Sequence, residues 1–208
     1  MFKGISIPDS IALQQNYKRK YGFWEMYMAF TRIPGAAVKL SKNRRKQLLS
    51  DHFVERLQLA VTEVNGCAAC SYAHTSMALK MGMDAEEISS MLSGSSAFVN
   101  PEEAKAILFA QHFTDKRGKP EKETYQTIVE HYGRERAEII LAACRVMIAG
   151  NIYGLPFSAF QSRRKGKPYR NSTLFYELGM LAGGFLILLP ALLHGLLKAA
   201  FCSGNYAE

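Results

Sequence analysis

Apolar residues recur every three or four positions along nearly the whole chain, the period of helices that bury one face, and no segment alternates as a strand does. Between residues 42 and 64, Leu48, Leu49, Phe53, Val54, Leu57, Leu59, Ala60 and Val64 form a wide stripe. It predicts one helix that ends near Asn65 and Gly66. A second helix is expected to run to about Met81 and stop at Gly82. Asp84 with Glu87 three residues later, and Asn100 followed by Pro101, Glu102 and Glu103, read as helix starts. The helix begun at 100 should end between Asp115 and Pro120, and 121–131 and 134 to about 152 predict two more. The expected fold class is all-α, a helical bundle that oligomerises through helix packing. Its expected parts are an N-terminal helical arm (1–41), a core domain (42–160), and a basic loop with an apolar C-terminal helix (161–208).

The tail differs from the rest. From Leu178 to Phe201 it is almost continuously apolar, interrupted by Gly183, Gly184, Pro190, His194 and Lys198. That length can span a bilayer, and the cations before it would place its N-terminal side in the cytoplasm. The same stretch fits a core or oligomer-interface helix, kinked at Pro190, in which His194 and Lys198 are easier to accommodate. Both readings stand at this point.

Composition narrows the class. With 208 residues, 48% hydrophobic and 21% charged, the chain can bury a core without disulfide or metal staples. Its net charge of +8 would attract nucleic acid or an anionic membrane if the cations were clustered. They fall instead in three short runs, at 18–20, 42–46 and 163–170, separated by apolar segments. Solvated loops and helix ends are expected there, and no nucleic-acid partner. The N-terminus shows no apolar stretch of the export kind, so the expected compartment is the cytoplasm, with membrane association if the tail inserts. The four cysteines, at 67, 70, 144 and 202, do not suggest a secreted disulfide framework.

Candidate chemistry concentrates in Cys67-x-x-Cys70-x-x-x-His74. Spacings of three and four put the three side chains on one helical face, within reach of one another. Asn65 and Gly66 would cap the helix and leave Cys67 in its first turn, where free amides and the macrodipole favour a thiolate. His74 can take the Cys70 proton or, when charged, hold its thiolate. A dithiol so arranged suits attack on a peroxide or a disulfide, after which the second thiol closes an internal disulfide that a partner must reduce. Other readings compete. Two cysteines and a histidine could hold zinc, with Cys144, Cys202 or a carboxylate as fourth ligand, although no second ligand pair of the usual spacing is present. The cysteines could also simply fill the core. Haem attachment is excluded, because Ser71 stands where a histidine would have to follow Cys70. Cys144, among Leu141, Ala142, Val146 and Met147, reads as core filler, and Cys202 as incidental.

With Glu55 placed ahead of Cys67-x-x-Cys70-x-x-x-His74, the pattern resembles the alkylhydroperoxidase D-like branch of the carboxymuconolactone decarboxylase superfamily. The resemblance runs over about 42–155. It includes the segment from Ala106 to Asp115, similar to the second helix signature, and Asn151, where an asparagine is frequent. It implies an AhpD-like all-helical protomer in a trimer or hexamer, with peroxidase or disulfide-exchange activity and no bound metal or other cofactor. It also implies site residues: Cys70 attacks the peroxide, Cys67 resolves, and Glu55 relays a proton through His74, with Glu63 as the alternative acid. The roles it assigns run against the helix-position argument, which favours Cys67 as the more acidic thiol. Proximity to His74 favours Cys70. The founding member carries a histidine between its cysteines, and here Ala68 and Ala69 stand there. The lactone-acting decarboxylases lack the cysteine pair, so decarboxylation is not expected. The leading expectation is an antioxidant thiol peroxidase or disulfide oxidoreductase. Its electron donor would be a dithiol, thioredoxin-like or lipoyl partner, as the family suggests. The alternative is a redox-sensing or structural oligomer whose dithiol changes packing without turnover.

Overall fold

The computed structural model describes residues 9–201. Among them are ten helices and no strand. In chain order they are α1 (Asp9–Ala12), α2 (Phe23–Thr31), α3 (Ile33–Lys46), α4 (Asp51–Asn65), α5 (Ala68–Lys80), α6 (Ala85–Leu92), α7 (Ala104–Asp115), α8 (Lys122–Tyr132), α9 (Arg134–Arg164) and α10 (Leu174–Phe201). The all-α expectation holds. α4 and α9 form the centre, with α5, α6 and α7 against α4, and α2, α3, α8 and α10 against α9. Leu57, Leu59 and Val61 of α4 and Ile139, Ile140, Ala143 and Leu155 of α9 are fully or almost fully buried.

Several boundaries depart from the pattern-based expectation, each for a local reason. The single helix expected over 42–64 is two. Gln47 takes a left-handed conformation at φ 50°, and the buried Asn43 side chain accepts from the Leu49 amide at 2.9 Å while donating to the Leu49 carbonyl at 3.0 Å. This clamp ends α3. Ser50 then starts α4 by accepting from the Phe53 amide at 3.1 Å. Asn100 and Pro101 open a turn, in which the Asn100 side chain accepts from the Glu102 amide, and α7 begins only at Ala104. The reciprocal cap expected between Asp84 and Glu87 is absent because Glu87 turns away to Arg56, which also grips Glu103 in a two-pronged pair at 2.6 and 2.8 Å. α9 does not stop near 152. It continues through Pro156 to Arg164, because Leu155, Ser158 and Ala159 keep its buried face going past the proline.

α10 packs along α2, α3 and α9 in the same chain. Gly195 allows it to touch the α2 terminus: a Cβ there would collide with the Thr31 carbonyl. His194 bonds Tyr27 through Nδ1 at 2.9 Å, and the wholly buried Glu177 accepts two bonds from Arg163 and one from Ser172. The opposite face, with Phe175, Phe185, Leu186 and Leu189, is open. α9 and residues Leu174–Ala199 are each long and apolar enough to cross a membrane; the first is mostly buried in the fold and the second mostly is not.

Candidate active site

The site is built where α4 ends and α5 begins. Gly66 closes α4 in the left-handed region, at φ 66°. The chain then reverses so tightly that Cys67 is itself the N-cap of α5, in place of the expected cap at Asn65 and Gly66: its Sγ accepts from the Cys70 amide at 3.3 Å. Ser71 anchors the turn by donating to the Cys67 carbonyl at 3.0 Å. Asn65 serves a different purpose. Its side chain is fully buried, accepting from Tyr21 Oη at 2.7 Å and donating to Asn151 Oδ1 at 2.9 Å, and Asn151 donates in turn to Thr62 at 3.3 Å. This network pins the end of α4 to α9, where a half-satisfied set of buried amides would be costly.

Cys67 and Cys70 are joined as a disulfide. Cys67 is completely enclosed, whereas Cys70 retains 9% of its exposure, so Cys70 is the less enclosed residue of the pair. Both lie against α9. Cys70 Sγ is 3.8 Å from the Gly150 carbonyl, and a Cβ on Gly154 would stand 2.6 Å from Cys70 Sγ and 2.7 Å from Cys67 Sγ. Position 154 therefore has no room for any side chain while the pair is in place. One turn further, Ser158 accepts from the Ala69 amide at 3.0 Å and donates to the Gly154 carbonyl at 2.7 Å, so α9 satisfies an otherwise unpaired donor in the first turn of α5. The first turn of α5 thus presents its amide end to the Cys67 sulfur, a setting that stabilises negative charge there once the pair is reduced.

His74 sits one turn beyond Cys70 on α5. Its Nδ1 is 2.7 Å from Oε1 of Glu55, which reaches across from α4. Glu55 is 5% exposed. A carboxylate only accepts, so Nδ1 carries the hydrogen and Nε2 is left to exchange a proton. Nε2 makes no hydrogen bond among the described residues. The four residues singled out in the sequence thus lie on two adjacent helices. Glu63, the alternative acid, is engaged elsewhere, with Lys18 at 3.2 Å. Cys144 is free and fully buried in α9, and burial pushes its thiol up to about 12, which makes it inert filler. Cys202 lies outside the described residues.

Sequence reasoning did not find Gly150, Gly154 and Ser158. A signal was there: three small residues at intervals of four along one helix mark a face where something approaches closely.

Residues 25–112 match the model of the Carboxymuconolactone decarboxylase family, a stretch that holds Glu55, Cys67, Cys70 and His74 and stops before the α9 residues beneath them. Over 85 residues the chain is 34% identical to the protein named Uncharacterized protein YdfG of Bacillus subtilis (strain 168). That match covers 39% of this chain and 57% of the relative, so the chain spans little more than half of the relative's length. No solved structure matches.

Proposed function

We propose that this chain, whose region 25–112 belongs to the carboxymuconolactone decarboxylase family, is a thiol peroxidase that cycles Cys67 and Cys70 between dithiol and disulfide. One observation carries the reading: a cysteine pair at a helix start with a buried carboxylate–histidine pair one turn away. In the reduced protein His74 Nε2 takes the Cys70 proton. The thiolate attacks one peroxide oxygen, the O–O bond breaks, and the proton goes to the departing alkoxide or hydroxide, leaving a sulfenic acid on Cys70. Cys67, its charge favoured by the start of α5, attacks that sulfur as the S–S bond forms, and the proton it gave up joins the departing hydroxide, so that water leaves. A dithiol donor of the thioredoxin or lipoyl class then returns two electrons and two protons. It attacks the sulfur of Cys70, the less enclosed residue, with Cys67 as the leaving thiolate.

The test is peroxide consumption by metal-stripped protein with excess dithiol, together with a thiol count before and after one equivalent of peroxide. The expected result is the loss of both thiols at 67 and 70 after one equivalent, and many turnovers per chain with dithiol present. Stoichiometric oxidation without repeated turnover would replace the enzyme with a redox sensor.

The reading includes self-association through the open face of α10. Phe175, Phe185, Leu186 and Leu189 are exposed together on that face, and a contiguous apolar patch of this kind marks an association surface. The basic runs that would draw α10 to an anionic membrane are partly neutralised within the chain, by Arg163 with Glu177 and by Lys42 and Lys46 with Glu135. Sedimentation is expected to give more than one protomer per particle, and Leu189→Glu to give one; a monomeric wild-type protein removes this part of the reading.

A further inference from the structure

A cavity of about 140 Å³ lies between the α2–α3 junction, the first half of α9 and the last turns of α10. Helical spacing puts its α9 residues, Glu138, Leu141, Ala142 and Arg145, on the face opposite Gly150, Gly154 and Ser158, so it is separate from the dithiol site. Its walls are largely small or apolar, yet among the described residues Arg32, Lys39, Arg145 and Lys198 all line it against one carboxylate, that of Glu138. That carboxylate is already shared by Lys39 and Arg134.

The two guanidiniums are the unusual feature. The Arg32 guanidinium makes one hydrogen bond among the described residues, from Nη1 to the Gly118 carbonyl at 3.2 Å. Arg145 has no hydrogen bond or ion pair among the described residues, and its Nε is shut off from solvent. Burial, reinforced by the neighbouring positive charge of Arg32, lowers Arg145 to about 10, and burial lowers Arg32 as well. Two partly buried cations lining one cavity, with no anion between them among the described residues, are less stable than an apolar pair of the same volume. An oxyanion bridging them removes that cost, and the planar fork of arginine matches its oxygens. The excess of cations over carboxylates among the described lining residues favours the more highly charged oxyanions.

We propose that this cavity binds a phosphate group, held by Arg145 and Arg32 with Lys198 at the rim. The phosphate comes from one of two sources, a soluble phosphate compound or an anionic lipid headgroup. The whole chain is to be melted with 10 mM inorganic phosphate against chloride of equal ionic strength, and sedimented with vesicles of phosphatidylcholine alone or with phosphatidic acid. A soluble source predicts a midpoint raised by about 3 °C or more in phosphate, the size expected when ligand is tenfold above its dissociation constant. A lipid source predicts no such rise but capture by the phosphatidic acid vesicles only. Arg145→Met abolishes whichever response is seen and, having lost an unpartnered buried cation, melts no lower than wild type in chloride. Arg32→Met supplies the same comparison if the first variant does not fold. Absence of both responses in wild type, or the same response in wild type and variant, overturns the proposal.

Discussion

Cys70→Ser is expected to reduce peroxide turnover to the uncatalysed background, a loss of at least about a thousandfold, while Cys67→Ser completes one round and stops. The asymmetry follows from where the two sulfurs lie. Cys70 is the less enclosed and is one turn from His74, so it can meet the peroxide and lose its proton. A serine there stays protonated at neutral pH and forms no sulfenic acid. Cys67 is fully buried against Gly154 and can meet only the sulfur beside it. Without it, Cys70 is oxidised but has no internal partner, so added monothiol accumulates as a mixed disulfide on Cys70. Mass spectrometry of the intact variants reads both states directly. Full turnover in both variants would remove the dithiol from the mechanism, and trapping on Cys67 instead of Cys70 would reverse their roles.

The reading from sequence succeeded where one element carries the signal, and failed where the cause lies on another element. The part of the stripe from Phe53 onward and the spacing of Cys70 and His74 are properties of single helices and survive folding, while Leu48 and Leu49 fall in the break before α4 and Cys67 caps α5 from just outside it. Glu55 joined the set through family resemblance, since the distance from α4 to α5 cannot be read from spacing alone. The break at Gln47 has no propensity signal, because glutamine has no special ease in the left-handed region. The Asn43 clamp on Leu49 holds it there. Likewise the Asp84 and Glu87 pattern predicted a reciprocal cap, and Arg56, 31 residues before Glu87, outcompetes it for the carboxylate. Pro156 would end a helix by local rules. Tertiary burial of Leu155 and Ala159 carries α9 past it, and that extension brings Ser158 to the start of α5. The floor of the site was therefore hidden in a segment whose helical continuation local rules deny.

Glu55→Gln is expected to lower turnover about a hundredfold without touching either sulfur, because Glu55 acts through His74 as a positioning residue. Its carboxylate fixes which ring nitrogen carries the hydrogen and which way the ring faces, and it offsets the charge that the imidazole gains when it takes the thiol proton. A glutamine of the same shape can still contact Nδ1, but it supplies no charge, and its amide can present either a donor or an acceptor. His74→Ala removes the proton acceptor itself and is expected to cost about 10²- to 10⁴-fold. The decisive measurement is the double variant. If Glu55 works through His74, Glu55→Gln costs almost nothing further once His74 is alanine, and the two losses fail to add. Additive losses would mean that Glu55 acts by another route, for instance by supporting the α4–α5 contact, and would leave His74 as an unassisted base. All rates are to be taken well below each variant's melting midpoint, so that a general loosening of the two helices is not read as lost chemistry.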